Sequence, residues 1–306
     1  MSMTVREFRA YDAEGAAAVL RAAIPFLVVT PEAMVWALDH VAAAARQRIL
    51  VGERDGQIVA RGEIGLAYES PEPGQANANI YVHPQHRGHG LGTRLLRAAE
   101  EYLAAQGATA VYSWVLDEPA HLAFAAAHGY RPSRSAHFLR LDLTQETLPP
   151  LVPAPAGVEL RSAADFANDP RPLFGLDAET TADEPGDVAA RLDDYDDWLR
   201  TTWAHPCLDH ELTTVAVEHG VPVAFTAART DGRTRYMSGM TGTARAHRGR
   251  GLARLVKSHS LHRAAAAGYT EAFTGNDTEN APMLAVNKSF GYEVCAREVR
   301  HVRTLG

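Results

Sequence analysis

At 306 residues the chain is long for one hydrophobic core and suits two domains of about 150 residues each. Its 46% hydrophobic and 22% charged residues are those of an ordinary soluble globular protein, and a formal charge of −7 argues against a general nucleic-acid binder. Cys207 and Cys295 make neither a disulfide framework nor a ligand pair, which points to a reducing cytoplasm. The opening MSMTVREFRA lacks a signal peptide's apolar stretch, and no apolar run approaches the ~20 residues that cross a bilayer, so no membrane association is expected.

In chain order, a short strand (VREFRAY) is followed by helices, one of them starting at Pro31 in PEAMVWALDHVAAAARQ. VGERDGQIVA (Val51 to Ala60) reads as a hairpin closed at Gly56. A further strand leads into IYVHPQHRGHGLGTRLL, and the helix predicted from Leu91 to Gln106 ends at Gly107, as C-caps often do. A β-run (AVYSWVL), a short helix and a last strand (AHFLRLDL) complete this half. Then Pro149, Pro150, Pro153 and Pro155 stiffen the segment 147–157, which reads as a linker.

The second half repeats the first. Val215 to Ala224 (VAVEHGVPVA) matches the hairpin, HRGRGLARLVK matches HRGHGLGTRLL with Gly251 on Gly90, and NKSFGYEVC matches AAAHGYRPS with Gly291 on Gly129. Three matches in one order at nearly one offset define a tandem duplication. The strand GVELRSA opens this half, a helix is expected in DVAARLDDYDDWLRTTW, and another from Leu252 to Ala267.

The glycine loop asks for an anion, because a helix N-terminus presents unpaired N–H groups and a partial positive charge. A dinucleotide fingerprint does not fit, since Thr93 stands where the third glycine belongs and the loop follows several strands. A Walker loop does not fit either, because no Gly-Lys-Ser/Thr follows. His83, His86 and His89 are spaced by three, but they lie on a Pro/Gly loop, and Ala244, His247 and Arg250 replace them in the second half. No metal is expected.

With Gln85-x-x-Gly88-x-Gly90 between the fourth strand and the third helix, in both halves of a duplication, the chain resembles the GCN5-related N-acetyltransferases (GNAT). The resemblance implies an α/β fold of two tandem GNAT-like domains, each a mixed, mostly antiparallel sheet flanked by helices. The domains would be 1–146 and 158–306, joined by the Pro-rich linker 147–157. It further implies that the amides of Arg87, Gly88, His89, Gly90, Leu91 and Gly92 wrap the pyrophosphate of acetyl-CoA, where glycine lets backbone approach phosphate. The pantetheine would run beside Tyr81 and Val82, with a strand N–H polarising the thioester carbonyl. The second-half equivalents are Gly242, Thr243, Arg248, Gly249, Arg250, Gly251, Leu252 and Ala253. Here Ala246 replaces the glutamine of the signature.

Family members carry an asparagine eleven residues before the Gly-Tyr pair; Asn280 fills that place and Glu118 is its counterpart. At the place of the usual tyrosine acid stand Ala125 and Asn287, so no catalytic residue is assigned, and Asn287 is carried as a cofactor contact. Tyr130 and Tyr292 read as core residues and Glu63 as an exposed strand glutamate. Nine acidic residues between Asp177 and Asp197 read as a solvated face or as a site for a cationic acceptor.

The expected function is transfer of acetyl from acetyl-CoA to a primary amine of a cationic small molecule or peptide, by direct attack in a ternary complex, in a monomer or homodimer. The alternative is a non-catalytic acyl-CoA sensor. The better-kept Asn280 and the acidic run place turnover in the second half.

Overall fold

The computed structural model describes residues 3–144, 148–151, 153–186 and 188–306. Thr147 and Val152 of the linker, and Asp187 of the acidic run, lie outside the described residues.

The first half runs β1 (Met3–Glu7), α1 (Ala13–Ala23), α2 (Pro31–His40), β2 (Arg48–Arg54), β3 (Gln57–Leu66), β4 (Gln75–Val82), α3 (Leu91–Ala105), β5 (Ala110–Leu116), α4 (Pro119–Ala127) and β6 (Arg131–Asp142). The second runs β7 (Val158–Ser162), α5 (Arg171–Thr181), α6 (Tyr195–Trp198), β8 (Thr214–Glu218), β9 (Val221–Thr230), β10 (Arg235–Thr243), α7 (Leu252–Ala266), β11 (Glu271–Asp277), α8 (Ala281–Lys288) and β12 (Glu293–Thr304).

Local chemistry explains most of these elements. Both hairpins close on two residues with positive φ, Asp55-Gly56 and His219-Gly220, which matches the twist of the strands they join. Thr30 caps α2 by accepting from the Ala33 N–H, and Pro31 occupies its first position. The predicted helix over DVAARLDDYDDWLRTTW begins only at Tyr195, because Asp194 turns its carboxylate onto the Asp197 N–H and caps there. It continues as a π-helical turn from Leu199 to Trp203.

The chain forms two compact units, Met1–Ala136 with Asp187–Ala190 and Ala296–Gly306, and His137–Gly186 with Arg191–Cys295. These differ from a division at the Pro-rich segment. The last residues of the chain complete the first unit's sheet, where β12 pairs antiparallel with β5 from Glu298↔Leu116 to Thr304↔Ala110. Residues from His137 onward in β6 belong to the second unit, where Arg140 reaches Glu271 of β11. Strand pairing joins residues remote in sequence, so a proline-rich segment marks a connection without fixing which sheet each flanking strand enters.

In the first unit the sheet order is β1-β2-β3-β4-β5-β12, all antiparallel except β4 with β5. The second repeats it as β7-β8-β9-β10-β11, with β10 and β11 parallel. The helix after the glycine loop covers one face of each sheet. Leu91, Leu95, Leu96, Ala99 and Leu103 of α3 pack on Val59, Ile64, Ala76, Ala78 and Val111 in the first unit. Gly52 permits this approach, since a Cβ there would fall 2.9 Å from a Leu91 methyl.

Candidate functional site

In the first unit β4 and β5 pair only from Gln75↔Ala110 to Asn77↔Tyr112 and then diverge. At the start of the opening the Trp114 N–H donates to Asn79 Oδ1 at 3.0 Å, a side chain standing in for a ladder bond. Tyr81 and Val82 stay paired with Arg61 and Ala60 of β3, which leaves their β5-side edge without a strand partner. The mouth of this wedge is the loop from His83 to Gly90. Gly88 and Gly90 have φ of +80° and +79°, which L side chains rarely adopt, and a Cβ on either would stand in open space. No side chain caps α3, so the amides of its first turn, Leu91, Gly92 and Thr93, point out unpaired. An anion with several acceptor oxygens fits this cradle. Leu91 contributes only its amide, because its side chain is in the core. His89 is exposed, and the Arg87 guanidinium donates to the Val82 carbonyl at 3.3 Å.

The second unit keeps the same backbone. β10 pairs with β11 only from Arg235↔Glu271 to Ser238↔Thr274, Gly249 and Gly251 both have φ of +75°, and α7 is uncapped from Leu252 into Ala253. Its side chains differ. Asp183 receives Arg245 at 2.7 Å and Arg248 at 2.6 Å, and Glu218 grips Arg250 through both oxygens at 2.7 and 2.9 Å. These bonds hold both carboxyl groups well below the usual range, at about 2. Every arginine of this loop is thus neutralised, whereas among the described residues the Arg87 side chain of the first loop meets only a carbonyl. Replacing Asp183 by asparagine is expected to free two guanidinium groups and tighten coenzyme A binding at the second loop several-fold in low salt. Calorimetry measures this; an unchanged affinity would show that these arginines do not reach the phosphates.

The remaining residues singled out in the sequence divide sharply. Asn280 is a helix cap, accepting from the Met283 N–H at 3.3 Å. Asn287 is fully buried and donates to Asn276, so it stands in the core of the second unit. Gly242 does not leave room for a substrate: a Cβ there would fall 2.6 Å from Thr180, so the close neighbour of this strand end is α5. Thr243 supplies a carbonyl to Arg248 at 3.2 Å. Tyr130 is core and donates to Glu100 at 2.9 Å; Tyr292 is buried too. Of the acidic run, Asp177 is buried against the Trp198 indole N–H at 2.7 Å, Glu179 accepts from the Arg245 N–H, Asp194 is a cap and Asp197 holds Arg200. Among the described residues, no group of three or more His, Cys, Asp or Glu side chains could hold a metal ion.

One constellation escapes sequence reasoning. On the face of the first sheet away from α3, alternation lines up Arg61 and Glu63 of β3, Asn77, Asn79 and Tyr81 of β4, Tyr112 and Trp114 of β5, and Glu298 and Arg300 of β12. Arg300 lies over the rings of Tyr112 and Trp114 and donates to Asn77 Oδ1 at 3.1 Å. Arg61 is 5% exposed, binds Glu63 at 2.5 Å through Nη2, and has no partner at Nε among the described residues. Burial, with Glu63 and Glu298 adding to it, drives the Tyr81 phenol far above its ordinary pKa, so it keeps its proton. Period-2 alternation was readable within each strand; their assembly, with β12 from the far end of the chain, was not.

Each unit thus sets a wedge between two parallel strands beside an uncapped helix and a double-glycine loop, an arrangement suited to a ligand with several acceptor oxygens. The profile of the acetyltransferase (GNAT) family matches residues 18–130 and 176–292, and the chain belongs to that family as a tandem N-acetyltransferase. It is 33% identical to the mycothiol acetyltransferase of Nocardia farcinica, over 95% of this chain and 94% of that one. It is 31% identical to that of Clavibacter michiganensis, over 87% of each. In fold it resembles the tandem GNAT protein from the clavulanic acid biosynthesis pathway (TM-score 0.74, 22% identity, 100% and 99% of the two chains). It also resembles a GCN5-related N-acetyltransferase from Sphaerobacter thermophilus (TM-score 0.70, 23% identity, 99% and 95%). Acetyl-CoA is the donor the family uses.

Proposed function

We propose that the protein transfers the acetyl group of acetyl-CoA to a primary amine of a soluble small molecule or peptide in the cytoplasm, by direct attack within a ternary complex. The observation that carries this reading is the first unit's wedge: a strand edge at Asn79 to Val82 without a strand partner, closed at one end by the Gly88/Gly90 loop and the open amides of α3. These amides would hold the pyrophosphate, and a β4 N–H would polarise the carbonyl where charge develops. The polar face beside Tyr81 and Trp114 would receive the amine.

The name shared by the relatives puts a mycothiol-type amine first among acceptors. A preference for cationic acceptors has narrower support than the sequence implies, because Asp177, Glu179, Asp183, Asp194 and Asp197 already serve internal partners. Labelled acetyl transfer to a panel holding a mycothiol-type amine, a polyamine, an aminoglycoside and a basic peptide tests the reading. Turnover of at least one amine is expected; acetyl-CoA binding without transfer to any would favour a sensor, the reading that Ala125 and the buried Asn287 support.

A further inference from the structure

Two charged side chains on the polar face of the first sheet come from the last strand of the chain. Glu298 stands opposite Leu116, the final residue of β5, on the same face as Arg300 and beside the opening where β4 and β5 have parted. Across that opening lies Tyr81, whose phenol feels the charge of both Glu298 and Glu63. The ionisable groups that alternation places on the same face are Arg300 on β12, Arg61 and Glu63 on β3, Tyr81 on β4 and Tyr112 on β5, while Arg297 falls on the opposite face. The part of β6 within this unit approaches at Ser133, whose hydroxyl donates to the Arg300 carbonyl at 3.2 Å, with Arg131 and Arg134 close to it in sequence. Glu63 is tied to Arg61 by a short ion pair, and no ion pair is formed by Glu298 among the described residues. The Arg61 Nε, buried and unpartnered, adds a hydrogen-bond donor with nothing to donate to on this face.

We propose that Glu298 is the proton acceptor of an amine-acetylating site in the first unit. This rests on the transferase reading above. The amine's lone pair is freed when its ammonium proton passes to the Glu298 carboxylate. The nitrogen then bonds to the acyl carbon and the C–S bond breaks. The remaining surplus proton of the nitrogen goes to the departing thiolate, and Glu298 returns its own to solvent, so the site is reset. A carboxylate suits this task when its affinity for a proton lies near the working pH. Burial lifts the Glu298 carboxyl to about 7, outweighing the pull of Arg300. Sequence position hid this residue, because the second half's own strand delivers it to the first unit.

The test is the pH profile of kcat/KM for the panel amine with the fastest turnover, in wild type, Glu298→Gln and Glu298→Asp. Coenzyme A affinity and circular dichroism of each variant report on the fold. Glu298→Gln is expected to lower kcat/KM by roughly 10²–10⁴-fold at pH 8 with coenzyme A affinity within twofold, and to lose the ascending limb near pH 7. Glu298→Asp should keep that limb at reduced rate. A Glu298→Gln protein that retains both the rate and the limb overturns the assignment while leaving the transferase reading intact. A wild-type protein that acetylates no panel amine overturns both.

Discussion

Replacing Lys257 by methionine is expected to stabilise the second unit by about 1–4 kcal/mol at pH 7 and to remove a rise of stability with pH. Lys257 lies on α7, 1% exposed, and among the described residues its ammonium has only the Thr274 hydroxyl at 3.5 Å and the Tyr292 ring at 5.2 Å. Desolvation alone lowers its pKa from 10.5 to about 7. Between those values the unfolded chain holds a proton that the folded chain does not, so stability climbs as pH rises through that window. The span corresponds to ~5 kcal/mol at most. Below pH 7 both states are protonated and the full cost of the buried charge is present. Methionine has similar length and no charge to desolvate, so denaturant titrations at pH 7 and pH 10 should show a gain that shrinks at the higher pH. A variant that is less stable at both, in a protein whose stability is flat with pH, would show that the folded state compensates the ammonium.

Lys257 also shows where sequence reading stops. In the duplication it occupies the place of Leu96, a core leucine of α3, yet a lysine on a helix is ordinarily read as solvated. What buries it is the sheet beneath α7, with Tyr236, Ser238, Ser260 and Thr274 making that interior polar. By contrast, Gly56, Gly88, Gly90, Gly220, Gly249 and Gly251 were legible, because each answers a local demand for positive φ that no distant contact can change. The helix starts were legible from equally local signals, a proline in the first turn at Pro31 and a left-handed glycine before Leu91 and Leu252. The acidic run was read as one feature, but Asp177, Asp183 and Asp194 proved to serve a tryptophan, two arginines and a helix end. Composition reports the charge and not its partner. The hardest feature was Glu298: its role follows from which sheet β12 enters, and strand pairing at long range leaves no mark in the neighbouring sequence.

Replacing Gly90 by valine is expected to abolish acetyl transfer, while the matching Gly251→Val leaves most of it. The sequence motifs alone favour the opposite outcome, with turnover in the second half. Three observations reverse the expectation: Asn280 is engaged as a cap, Thr180 lies on Gly242, and the arginines of the second loop are neutralised by Asp183 and Glu218. The first loop has none of these encumbrances. No atom lies within 4 Å of a Cβ added at Gly90 or Gly251, so neither change creates a clash, and each costs ~1–2 kcal/mol through the left-handed backbone alone. Both variants should therefore fold, which circular dichroism checks. At Gly90, however, the isopropyl group would enter the space in front of the α3 amides, and binding of coenzyme A there should weaken by at least about 100-fold, since several charge-assisted hydrogen bonds are lost together. Calorimetry should then report loss of one site in Gly90→Val together with loss of turnover. If Gly251→Val silences transfer and Gly90→Val does not, the reacting wedge is that of the second unit.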